Sequence, residues 1–152
     1  MSKVGDESAR RFLVRTWDEA WEGGLWAVPW KRALEGLTPE QAAWRPAEGR
    51  HSIWQLVMHV CYWREHELRK LAGETVPKEE IEQRNFEAPA DTSEAAWQAT
   101  QDRFAQTQHR LAAAFANEAT DLSRIQYLVP HDSYHVGQIM TLRALQGLPP
   151  LM

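Results

Sequence analysis

A chain of 152 residues, 43% hydrophobic and 25% charged, is sized for one core and composed like a soluble globular protein. Its net charge of -4, with acidic and basic residues interspersed, lacks the basic stripe of a nucleic-acid surface, so no nucleic-acid partner is expected. The single cysteine, Cys61, excludes an intrachain disulfide. With no secretory pattern and no bilayer-spanning apolar run in view, a cytoplasmic protein without a membrane partner is expected.

Residues 1–8 read as a terminus. From Ala9, the positions Leu13, Trp17, Ala20 and Trp21 recur at helical spacing, and Gly23, Gly24 and Pro29 break that helix. Helical character resumes from Trp30 to Leu37. Thr38-Pro39-Glu40-Gln41 offers an N-cap, a first-turn proline and a capping-box glutamine, and predicts a short helical turn. Residues 43–50, with Pro46 and Gly49, read as loop. Ser52-Ile53-Trp54-Gln55 is a second capping box. It opens a long helix that stops at Gly73 and is apolar on nearly all sides from Ile53 to Trp63, which predicts deep burial. The charged stretch 73–91, with Pro77 and Pro89, reads as a long crossover connection. Asp91-Thr92-Ser93-Glu94 caps a third helix with the stripe Trp97, Gln101, Phe104, Gln108, Leu111 and Phe115. The last helix begins near Leu122, kinks or restarts at Pro130, and ends before Gly147. No strand pattern rises above noise. The expectation is an all-α fold: a four-helix bundle with a long connection between helices 2 and 3, one domain over 9–147, with 1–8 and 148–152 as termini.

The chemistry concentrates in His131-Asp132-Ser133-Tyr134-His135. Two histidines four apart on a helix stand on one face, a turn apart, and can share a metal ion. They lie on the stripe Leu128, His131, His135, Gln138, Leu142, Leu145, which predicts that they point inward. The pattern differs from the zincin H-E-x-x-H: Asp132 stands at the second position, and no His, Asp, Glu or Cys follows His135. A third ligand must come from upstream, and His59, at the centre of the most buried helix, is the candidate. A satisfied core histidine is the commoner fate of such a residue, but the inward pair favours a three-imidazole metal site with an open position. The carboxylates do not supply the paired Glu-x-x-His motifs of a di-iron bundle.

Around that site, Gln138 is placed to orient a ligand histidine or a metal water, and Tyr134 to offer its hydroxyl. Trp63 shares the His59 face, as does His66 about 10 Å further along, at the mouth of a cavity. Leu56, Leu128 and Leu142 complete an apolar wall. Asp132, about 100° from the histidine face, reads as surface. His51 reads as rim, His109 as solvated, and Cys61 as a buried small residue rather than a ligand.

The segments WRPAEGRHSIWQLVMHVCYW and HDSYHVGQI together resemble the DinB-like (DinB/YfiT) superfamily of metal-binding four-helix bundles. In that family a helix-2 histidine joins an H-x-x-x-H pair in the last helix, and these positions match His59, His131 and His135. The resemblance implies one divalent metal ion, with zinc or nickel expected. It implies a small-molecule substrate and, by way of members that use low-molecular-weight thiols, a metal-dependent thiol S-transferase acting on a small electrophile. The residues alone leave two alternatives: a metal-assisted hydrolase, or a non-enzymatic metal-held bundle that binds a ligand or partner. The resemblance also implies a homodimer. Independently, Trp17, Trp21, Trp26 and Trp30 give the first segments more tryptophan than one face of a small bundle needs.

Overall fold

The computed structural model of the protein describes residues 3–24 and 26–151. Its architecture is all-helical: no strand occurs among the described residues. Four long helices, α1 (Lys3–Asp18), α4 (Ile53–Leu71), α6 (Glu94–Ala116) and α7 (Leu128–Leu145), pack side by side. α6 lies against α1 and α4, and α7 closes the ring by touching α4 and α1. Three short helices fill the connections: α2 (Trp30–Leu34), α3 (Pro39–Ala43) and α5 (Lys78–Arg84).

Local signals account for most boundaries. Both capping boxes form: Thr38 and Gln41 bond reciprocally at the start of α3, and Ser52 and Gln55 at the start of α4. α4 ends at Leu71 with Ala72 as its C-cap, and Gly73 takes a φ of 87°, the left-handed turn that glycine adopts without strain. Ser93 caps α6. A short 3-10 turn (Leu122–Arg124) precedes α7, which restarts at Leu128. Pro130 then sits in the first turn, where a missing N–H breaks no intrahelical bond.

Several boundaries differ from expectation. α1 begins at Lys3, upstream of the domain start at residue 9, while residues 1, 2 and 152 of the expected termini lie outside the described residues. The break at Gly23-Gly24 is a five-residue π-helical turn (Glu19–Gly23) ended by Gly24 at φ 67°. α2 stops at Leu34, short of Leu37. The 73–91 connection contains α5, whose sequence KEEIEQR has too few apolar positions to show a helical period. Leu145, expected on the inward stripe, is exposed because α7 is by then in its last turn.

The core has two apolar clusters. One joins Trp30, Trp54, Trp97, Phe104, Ile139 and residues around them. The other joins Trp17, Leu111, Phe115, Leu122, Ile125 and Leu128. Arg64 touches both, its guanidinium 4.5 Å from the Trp17 ring and 4.3 Å from the Phe104 ring. At the far end, Arg10 of α1 ties off α6 by donating to the carbonyls of Phe115, Asn117 and Thr120 at 2.9, 2.7 and 3.0 Å. Of these, the Phe115 carbonyl is one that the end of α6 leaves without an intrahelical partner.

Candidate metal centre

α4 and α7 pack as neighbours in the bundle and bring three imidazoles together. His59 projects from the middle of α4, and His131 and His135 from the first two turns of α7. Ring centroids lie 5.2 Å apart for His59 and His131, and 4.6 Å for His59 and His135 and for His131 and His135. One ring nitrogen from each lies within 4.8 Å of the other two. His59 and His135 are buried, whereas the His131 side chain keeps a quarter of its surface in solvent. The cluster is therefore set in the protein with one edge open.

Each ring is fixed by an oxygen acceptor on its Nδ1. His59 donates to the backbone carbonyl of Asn85 at 2.6 Å, His131 to Asp132 Oδ1 at 3.0 Å, and His135 to Gln138 Oε1 at 2.7 Å. An imidazole that donates from Nδ1 carries its lone pair on Nε2 when neutral. The Nε2 atoms of His59 and His131 face one another at 3.2 Å. Two lone pairs at that distance repel unless a cation or proton lies between them. Tetrahedral coordination with metal–nitrogen bonds of about 2.0–2.1 Å places ligand nitrogens about 3.3 Å apart. Burial pushes His59 down to about 4, with the charges of His135 and His131 adding to the effect against the Asn85 hydrogen bond. His135 is lowered as well, first by burial. His59 and His135 are thus held neutral, the state a metal ligand requires.

The surrounding residues divide between those the structure brings to the site and those it does not. Gln138 holds His135, and its amide donates at 3.2 Å to the hydroxyl of Tyr134. Tyr134 is itself largely exposed; its ring packs edge-on against His135 at 5.1 Å, and its hydroxyl points to Gln138. Trp63 stands edge-on to His59 at 6.5 Å. His66 is buried against Trp63 at 5.0 Å and donates to Glu67 at 2.8 Å. Leu56, Leu128 and Leu142 belong to the core clusters. Cys61 is buried, and its thiol is pushed up to about 12 by burial, so it stays protonated.

Asp132 requires a correction. It is buried, not at the surface: its Oδ2 accepts from Arg64 Nε at 2.8 Å and pairs with Nη2 at 2.7 Å, while Oδ1 holds His131. The offset of about 100° from the histidine face turns it toward α4 rather than toward water.

Three residues of the site have no counterpart in the expectations: Arg64, Asn85 and Phe86. Phe86 lies flat on His59, with centroids 4.0 Å apart and planes at 5°, and flat on His51 on its other side at 4.1 Å. Arg64 opens the charged run Arg64-Glu65-His66-Glu67 at the end of the apolar stretch, so the sequence carries no sign of its burial. Asn85 and Phe86 lie in an aperiodic connection, which gives no facing information.

Compared with known families, residues 30–139 match a family model described as the DinB superfamily. No significant match is found among curated proteins or among solved structures.

Proposed function

The chain belongs to the DinB superfamily, and on that premise we propose that His59, His131 and His135 bind one divalent ion, zinc or nickel. We propose further that the protein is a metal-dependent transferase joining a low-molecular-weight thiol to a small electrophile. The observation that supports the metal is the set of three Nδ1–H groups held by oxygens, which turns the His59 and His131 lone pairs toward one point. A bound ion would lower the pKa of a thiol held at its free position and so supply a nucleophile near neutral pH.

The chain's own residues do the rest. Burial keeps His59 and His135 unprotonated. Asp132, Gln138 and the Asn85 carbonyl fix the tautomers and angles of the three rings. The exposed edge of His131 leaves a way in for a small molecule. In the transfer a carbon–sulfur bond forms, the thiol proton goes to solvent, and the electrophile's leaving group departs with its electron pair.

Elemental analysis of untagged protein tests the metal. About one equivalent is expected in the wild type and little in His59→Ala or His135→Ala; equal content in all three rejects the site. Incubation with thiols and an electrophilic acceptor tests the transfer. Conjugate should form only with thiol and metal both present, whereas turnover of esters without thiol would assign the site to hydrolysis.

We also propose a homodimer in the cytoplasm. Trp17 and Trp30 are buried and Trp21 packs on the core, so the tryptophan surplus narrows to Trp26, which is fully exposed. It borders an apolar hollow of about 210 Å³ with Val28 and Val136. No helix among the described residues is long and apolar enough to cross a membrane.

A further inference from the structure

Three residues of α4 spaced four apart, Gln55, His59 and Trp63, all bond to the same two residues of the connection after α5. Gln55 donates its amide to the Phe86 carbonyl at 3.3 Å. His59 donates Nδ1–H to the Asn85 carbonyl at 2.6 Å. Trp63 donates its indole N–H to Asn85 Oδ1 at 2.8 Å. Residues four apart on a helix form one row, so the Asn85-Phe86 segment is held along this row at three points. Phe86 then covers the His59 ring face to face.

We infer that Trp63 and Asn85 are positioning residues for the ligand His59, and that metal loading and docking of the Asn85-Phe86 segment are one coupled equilibrium. This rests on the metal reading above. The physical link is the middle rung. The Asn85 carbonyl gives His59 the acceptor that fixes its tautomer and ring angle, and a histidine so held is the better ligand. The segment carrying that carbonyl is held in turn by the Trp63 indole. Coupling of this kind is reciprocal: whatever loosens the segment weakens the metal, and the metal tightens the segment by the same factor. Trp63 and Asn85 act on the Nδ1 side of His59, whereas its Nε2 faces His131.

The middle rung ends on a backbone carbonyl, which no side-chain substitution removes, so the test acts on the outer one. Trp63→Phe keeps an aromatic ring and loses the N–H; Asn85→Ala loses the acceptor. Zinc affinity is measured by competition with a chromogenic chelator on full-length wild type, each variant and the double variant. Each single variant should bind zinc about tenfold more weakly, and the double variant little more weakly than either, because both remove the same contact. In the wild type, amide hydrogen exchange over residues 84–88 should slow on zinc loading. Unchanged affinity in both single variants overturns the inference. So does an affinity loss that merely tracks a fall in melting temperature while zinc leaves exchange at 84–88 unaltered. If the wild type binds no zinc or nickel, the metal reading falls and this inference with it; if it binds and the variants match it, only this inference falls.

Discussion

Asp132 joins two groups of different kinds, a buried cation and a ligand imidazole. One oxygen takes both bonds from Arg64, a cation buried between Trp17 and Phe104, and the other holds His131. Removing the carboxylate's charge leaves Arg64 uncompensated in the core. Asp132→Asn should therefore destabilise the protein by about 3–5 kcal/mol in urea titration, and weaken metal binding in the same sample. Arg64→Met with Asp132→Asn should be milder than Asp132→Asn alone, because no unpaired charge remains. His59 makes a pH prediction with a definite sign. Unfolded, it takes a proton near 6.5; folded, only near about 4. Between those values the unfolded chain binds more protons, so stability is complete above about pH 6.5 and falls as acid is added through the window. At about 1.4 kcal/mol per unit the loss across the whole window is about 3.5 kcal/mol; denaturation of chelated protein at pH 7, 6 and 5 samples its upper part, and a flat profile would contradict the buried neutral ring. The three histidines were legible because helical spacing alone decides which residues share a face. Asp132 was misplaced by the same rule, since spacing gives an angle but not which neighbour occupies it.

At the scale of elements, α4 organises the site, and its start is set by a buried cap. Ser52 accepts from the Gln55 N–H while Gln55 returns to the Ser52 N–H. Ser52→Ala should cost about 1–2 kcal/mol, read as a lowered denaturation midpoint with unchanged slope. Because Gln55 also holds Phe86, fraying of this first turn should reach the histidine cluster as well, through the connection rather than along the helix. The long helices were legible from their caps and apolar periods. The 73–91 connection was legible only in its length: α5 is seven residues of mostly charged sequence, and the docking of Asn85 and Phe86 depends on partners far away in the chain.

For the whole molecule, assembly is decided by light scattering at micromolar concentration. Twice the 17.5 kDa chain mass is expected for the wild type, and a shift toward 17.5 kDa for Trp26→Ser; a wild-type mass near 17.5 kDa would reject the dimer. The anchoring of α1 by Arg10 bears on the order in which the bundle forms. Its bonds to Phe115 and Thr120 close chain segments of 105 and 110 residues, among the longest spans of any side-chain hydrogen bond in the described residues. Closing such loops is entropically expensive until the intervening helices have met, so these bonds form late. Arg10→Ala should accordingly leave the refolding rate nearly unchanged and speed unfolding by most of its stability loss, a slope confined to one limb of the chevron. The residence time of the folded state, and with it resistance to proteases that wait for spontaneous opening, is then governed from the end of the molecule opposite in sequence to its histidine pair.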